Sequence, residues 1–338
     1  MKALKYILLL LLIVIIGFSI YIAVQPNSFE VTRTKTINAP QSVVYNNIID
    51  FKNWEAWNSW VEAKPETKVM LPEQTKGIGG SYSWEDEDGI GTMKTIDTKP
   101  NTSITQEMQF GDFPTNDVTW NLTPNEDGTT EVTWTISGKD LPFGFKAFAT
   151  VMGGMEKQIG PHYERGLTML DSVLQDDMNR YDVKINGITE YGGGFYLYKT
   201  TNANSQNISA KMGQNFGAIM QFMGPKGLKQ SGMPLTVYND MSTSNVIMSN
   251  GIPVNERIDL PKDSDISIGF IPKIRVLKTT LTGNYTFLPK AWEATMKHLA
   301  ENNLEQSEHK PFEIYTTDPD NYPNPADWKT EIYIPLKE

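Results

Sequence analysis

Near the end of the chain, two short phrases place an acid and a phenol two residues apart: Glu313-Ile314-Tyr315 and Glu331-Ile332-Tyr333. Residues i and i+2 share a face of an extended strand, so each phrase presents a carboxylate beside a hydroxyl. Such a face is either solvated surface or the lining of a pocket for something cationic, polarised or reactive. Acid–base chemistry would require burial among aromatics to move a glutamate pKa towards neutrality. If the site were hydrolytic, Glu313 and Glu331 would be its acids. Nucleophilic catalysis has no support, because the chain lacks cysteine and His162, His298 and His309 sit in no triad-like context. No His/Glu spacing suggests a metal. The run Glu85-Asp86-Glu87-Asp88-Gly89 reads as a solvated hairpin tip. Gly192-Gly193-Gly194 reads as a bend or bulge, since no Gly-Lys-Ser/Thr follows it. The expectation is therefore no metal and no cofactor.

The elements around these phrases repeat. Gly187 to Thr201 is strand-like, and Met212, Phe216, Ile219 and Met223 mark a helix. Strands Pro234–Tyr238 and Asn245–Val254 follow. The order recurs as a strand over Pro272–Tyr285, a helix over Pro289–Leu304 with Trp292 on its apolar face, and the two Glu-x-Tyr strands. Aligning Pro234 with Pro311 sets Thr236 opposite Glu313 and Tyr238 opposite Tyr315, while Ser249 falls at the position of Glu331. The scaffold positions recur and the acids do not. Two strand-helix-strand-strand units imply a pseudo-twofold domain with a groove between them, a common kind of ligand site. Glu313, Tyr315, Tyr238, Tyr333, Glu331 and Trp292 are its candidate ligand contacts, because phenols and indoles offer a π-face to cations.

The preceding stretch reads differently. Phe29 to Asn38 alternates like a strand, and a helix follows with Val43, Val44 and Ile48 on one side. Period-two runs come next, including Ile104/Met108/Phe110, Val118/Trp120/Leu122 and Val132/Trp134/Ile136, the last two joined by a turn at Asn125-Glu126-Asp127-Gly128. Ile159, Tyr163, Leu167, Leu170 and Leu174 then form one face of a long helix. Fifteen methionines, Met152, Met155, Met220 and Met223 among them, serve as adaptable apolar filling.

With 338 residues the chain can hold two domains. A net charge of −10 argues against a polyanionic partner such as nucleic acid. After Lys2 and Lys5 come roughly nineteen uncharged residues, Tyr6 to Val24, close to the ~20 that cross a bilayer as a helix. Tyr21-Ile22-Ala23 is a poor cleavage site, so the segment reads as a retained anchor. The two lysines place the N-terminus in the cytoplasm and the bulk of the chain outside it.

The stretches Thr36-Ile37-Asn38-Ala39-Pro40-Gln41-Ser42-Val43-Val44 and Asp50-Phe51-Lys52-Asn53-Trp54-Glu55-Ala56-Trp57, together with the element order, resemble the helix-grip, START-like (SRPBCC, polyketide cyclase-like) superfamily. That resemblance implies a curved antiparallel sheet around the long helix, with an apolar cavity that Trp84, Trp120 and Trp134 line or fill. The phrases Pro311-Phe312-Glu313-Ile314-Tyr315 and Thr330–Leu336 resemble the GyrI-like domain, also found as the effector-binding part of some bacterial transcription activators. It implies a groove for diverse organic molecules, often cationic and aromatic, with Glu313 at the acid position; some relatives are hydrolases. No DNA-binding helix-turn-helix precedes the domain here, which argues against a transcriptional role.

The expected architecture is α+β: a membrane anchor over 1–27, a START-like domain over 28–178 and a GyrI-like domain over 183–338. The expected function is non-catalytic binding of hydrophobic or cationic amphiphilic small molecules by a membrane-anchored, extracytoplasmic protein. The alternatives are a hydrolase of a small electrophile and a membrane-tethered interaction module.

Overall fold

The computed structural model describes residues 2–204, 206–241, 245–319 and 321–338. Met1, where the expected anchor begins, lies outside the described residues. Helix α1 (Lys2–Ala23) is apolar all round, and by length and composition Ala3–Ala23 can cross a membrane. The chain forms two compact units, Met1–Asp177 and Met178–Glu338.

In the first unit, α1 is followed by β1 (Ser28–Ile37), α2 (Gln41–Ile48), a 3-10 turn at Phe51–Ala56 and α3 (Ser59–Ala63). The strands β2 (Lys68–Met70), β3 (Ser81–Asp86), β4 (Gly89–Lys99), β5 (Ser103–Phe110), β6 (Asn116–Pro124) and β7 (Thr130–Lys139) come next. Helices α4 (Phe143–Val151) and α5 (Met155–Met178) close the unit. The strands make one antiparallel sheet in the order β1-β7-β6-β5-β4-β3-β2. Gly128, at a φ of 83°, turns the chain between β6 and β7, where the Asp-Gly pair favours the left-handed region.

The apolar stripe of α5 faces the sheet, with Ile159, Tyr163, Leu167, Leu170 and Leu174 all buried. Trp134 lies flat between neighbours, 4.1 Å from Trp120 and 3.6 Å from Tyr163 by ring centroids. Trp54 and Trp57 meet Trp120 edge-on. Trp120 and Trp134 thus fill the space between sheet and helix, and Trp84 stacks on Tyr82 at its side. Truncating a fully buried member such as Leu170 would cost about 2–5 kcal/mol. The acidic run after Trp84 is a hairpin tip, with Asp86 accepting the N–H groups of Asp88 and Gly89 and Lys64 paired to Glu87 and Asp88.

The second unit contains β8 (Asp182–Tyr191), β9 (Gly194–Ala203), α6 (Ile208–Met223), β10 (Leu235–Met241), β11 (Val246–Val254), β12 (Ser267–Ile271), β13 (Ile274–Thr282), α7 (Leu288–Glu301), β14 (Phe312–Tyr315) and β15 (Lys329–Pro335). They build one antiparallel sheet ordered β12-β9-β11-β10-β14-β15-β13-β8. The expected repeat is present and its axis is visible in the register. Leu235 pairs with Ile314, Thr236 with Glu313 and Val237 with Phe312. Tyr238 N–H bonds Pro311 O at 2.9 Å, and Tyr315 N–H bonds Pro234 O at 3.0 Å.

Each half carries an edge strand beyond the expected unit, β12 beside β9 and β8 beside β13. The stretch read as one strand over 187–201 is two strands, β8 at one edge of the sheet order and β9 next to the other edge. Gly192-Gly193 joins β8 to β9, and Pro272-Lys273 joins β12 to β13. Links this short between the two ends require the sheet to curl. At Gly193 (φ 75°) a Cβ would stand 2.4 Å from Ile271 O, so the crossing admits only glycine. One face of the curled sheet closes on Tyr196, Leu235, Val237, Val276, Phe312 and Tyr333. The other face carries α6 over Leu197 and Ile252, and α7 over Leu277, Ile332 and Ile334.

Candidate functional site

The register decides which face each acid takes. Directly opposed residues of an antiparallel pair share a face. Glu313 opposes Thr236 and Ile332, so it points to the side covered by the two helices. Glu331 opposes Ile314 and Thr280, and Tyr333 opposes Phe312, so both point to the closed aromatic side. The two Glu-x-Tyr phrases therefore look in opposite directions and share no groove.

Glu313 sits at the pseudo-twofold axis with 1% of its surface exposed. Trp292, carried towards the sheet by the buried stripe of α7, donates its Nε1–H to Oε1 at 2.5 Å. The Tyr315 hydroxyl lies 2.8 Å from Oε2, and the Tyr238 phenol stands near enough to act on the carboxylate. The Tyr315 hydroxyl lies 2.9 Å from Thr236 Oγ1 as well. A phenol has one proton, so when Glu313 is ionised and takes it, the Thr236 hydroxyl donates to Tyr315. Asn250 Nδ2 in turn donates to Thr236 at 2.9 Å, and Asn215 Nδ2 donates to Asn250 Oδ1 at 2.8 Å. A chain of donors thus runs from α6 across the sheet to one carboxylate.

Burial pushes the Glu313 carboxyl above the usual glutamate range, against the pull of the Trp292, Tyr315 and Tyr238 hydrogen bonds. Among the described residues, no lysine or arginine contributes to holding its charge. Burial and then Glu313 raise Tyr315 and Tyr238, and the same two causes push Tyr285 up to about 12, with Asp318 adding to them. Phe216 and Tyr285 meet the Tyr315 ring edge-on at 6.1 and 5.6 Å. Tyr238 and Trp292 stand edge to face at 5.3 Å. On their far side a pocket of about 630 Å³ opens, lined by both rings and by Met296, Asp240, Glu293 and Glu308. His309 and Lys310 stand at the same wall.

Glu331 is in another situation. Lys278 Nζ lies 2.7 Å from Oε1, the Tyr333 hydroxyl donates to Oε2, and the ammonium sits 5.6 Å from the Tyr333 ring centre. Burial first, and then the bond to Glu331, raise the Tyr333 phenol. Of the six residues selected from the sequence, the structure gathers Glu313, Tyr315, Tyr238 and Trp292 and sets Glu331 and Tyr333 apart. Sequence reasoning missed Thr236, Asn250 and Asn215, which complete the donor chain. The repeat offered one signal, since Thr236 takes the position of Glu313.

Residues 195–337 match the family model described as a GyrI-like small molecule binding domain. The second unit carries a GyrI-like domain. Residues 28–175 match the family described as polyketide cyclase/dehydrase and lipid transport. Both resemblances drawn from the sequence are thereby found. Solved structures similar to the chain include the EcmrR C-terminal domain (23% identity over 47% of this chain and 98% of that one, TM-score 0.38). EcmrR in a DNA complex is 21% identical over 58% of this chain and 72% of that one, with a TM-score of 0.40. A Staphylococcus epidermidis protein solved by NMR is 18% identical over 46% and 94%, with a TM-score of 0.34. Likeness at this level carries no functional weight. Comparison with curated proteins gives no match.

Proposed function

We propose that the protein is a membrane-anchored, extracytoplasmic, non-catalytic receptor for cationic or amphiphilic aromatic small molecules, bound by the GyrI-like domain at Glu313. The observation that carries this reading is a buried carboxylate ringed by Trp292, Tyr238 and Tyr315, with no cationic side chain among the described residues acting on it. A buried ion without a counter-charge is costly, and a ligand cation among π-faces would relieve that cost. The neighbouring pocket, with Asp240, Glu293 and Glu308 on its wall, offers an approach. The interior of the first domain is occupied by stacked rings, so ligand binding is assigned to the second. The anchor is α1, and Lys5 precedes most of its apolar span, which favours a cytoplasmic N-terminus. Nucleic acid has no place in this reading of a chain with a net charge of −10.

Thermal-shift measurements with cationic and anionic dyes of matched ring systems test it. The cations should raise the melting temperature in a concentration-dependent way. No shift with any cation, or an equal shift with the anions, contradicts it.

The raised Glu313 carboxyl favours one second reading, a hydrolase in which Glu313 activates water on an electrophilic ligand. Turnover of a bound ligand that disappears in Glu313→Gln while binding persists would replace the receptor reading.

A further inference from the structure

We propose that helix α4 lies in the headgroup region of the bilayer that α1 crosses, holding the first domain against the membrane surface. The inference rests on α1 being a membrane anchor.

Helix α4 shows an apolar surface that the domain does not use. Phe145 is the buried residue of the helix, stacking on Phe29 at 5.8 Å and meeting Phe113 edge-on at 5.3 Å, and the Phe148 ring also reaches that of Phe113 at 6.3 Å. Phe143, Phe148, Val151 and Met152 point outward at 51, 44, 68 and 42% exposure. Between Asp140 and Glu156 the sole charged residue is Lys146. That charge is directed to the anchor: Lys146 Nζ donates to Ala23 O at 2.9 Å and Gln25 O at 3.3 Å. These carbonyls end α1, where backbone acceptors lack helical partners. Ile22 is also buried at this junction, at 3% exposure, whereas the rest of the span is bare.

The exposed face of α4 is therefore continuous with the end of an apolar helix long enough to cross a bilayer. A lipid surface is the occupant that covers both at once. Interfacial helices bury aromatic and aliphatic side chains at the level of the headgroups. Lys146, its ammonium on the carbonyls at the end of α1, ties the two helices together.

The chain has no cysteine, so single cysteines carry a probe without further change. In the full-length protein reconstituted in phosphatidylcholine vesicles, an environment-sensitive fluorophore is attached at Phe148→Cys, Val151→Cys and, as control, Ile78→Cys. Ile78 is 58% exposed beside Gly79, whose N–H bonds Thr95 O, further along β4 than Gly91, which pairs with the Phe110 end of β5 that leads to Phe113. The expected result is blue-shifted emission at the first two positions, with at least two-fold quenching by a shallow spin-labelled lipid, and neither effect at Ile78. If the protein floats with the vesicles while probes at Phe148 and Val151 remain as wet as the control, the inference is overturned and the anchor stands. If the protein fails to float with vesicles, the anchor reading falls and this inference with it. Shielding that grows with protein concentration without lipid quenching assigns the face to a second copy and also overturns it.

Discussion

The two faces of the second sheet carry the same Glu-x-Tyr phrase and put it to different use. On the closed face, Glu331 meets Lys278 and a tyrosine hydroxyl, so its charge is answered within the protein. On the helix-covered face, Glu313 meets an indole and two phenols but, among the described residues, no cation. Identical local sequence therefore yields one partly buried ion pair against an aromatic core and one fully buried carboxyl beside a pocket. What separates them is register. Phe312 stacks on Tyr333 at 5.0 Å on one side of the sheet, and the intervening Glu313 must point to the other.

Perturbations of stability sharpen this contrast. The largest effect belongs to the closed face, where Phe312→Ala should cost about 3–5 kcal/mol in urea unfolding, as for other fully buried aromatics. A loss below ~1 kcal/mol would mean that this face is loosely filled. Next comes Lys278→Met, which leaves Glu331 without its counter-charge. The pair is about three-quarters buried by side chain, so the expected loss lies between surface and interior ion pairs, roughly 1–2 kcal/mol. Tyr315→Phe should cost about 1 kcal/mol, removing a donor to Glu313 and orphaning Thr236, and it should also weaken dye binding. An unchanged dye affinity there would break the link between the donor chain and the site.

The smallest effect is a pH dependence. Glu313 has its folded pKa raised, so the folded state holds this proton more tightly than the unfolded chain. Its contribution to stability is fully present below the ordinary glutamate pKa and is lost as pH rises through the raised one. Relative to Glu313→Gln, wild type should therefore lose stability across that window. Cationic dye affinity should climb over the same interval, by at most about ten-fold per pH unit. Opposite slopes would show that the carboxyl is not the titrating group.

Much of this was legible beforehand. Period-two runs located β5, β6 and β7, the buried faces of α2 and α5 followed from helical spacing, and the Pro234/Pro311 alignment made Thr236 the repeat counterpart of Glu313 without foretelling that the two pair across neighbouring strands. Three features were not. Alternation continues across Gly192-Gly193, so two strands far apart in the sheet order read as one. Helix α4 is apolar on both sides of its axis and offered no clear period, because one side packs on Phe29 and the other is bare. Finally, period two puts Glu and Tyr on a common face without saying which one. That choice is made by partners in sequence-distant strands.

The account stands on Glu313 alone carrying the ligand's charge. Its most direct test is the dissociation constant of one cationic dye for wild type, Glu313→Gln and Glu331→Gln. Removing one partner of a desolvated charge pair costs about 2 kcal/mol or more, so Glu313→Gln should bind at least ~30-fold more weakly. Glu331→Gln should stay within about two-fold of wild type, its carboxylate being spent on Lys278. Equal losses in the two variants, or no loss in either, would contradict it.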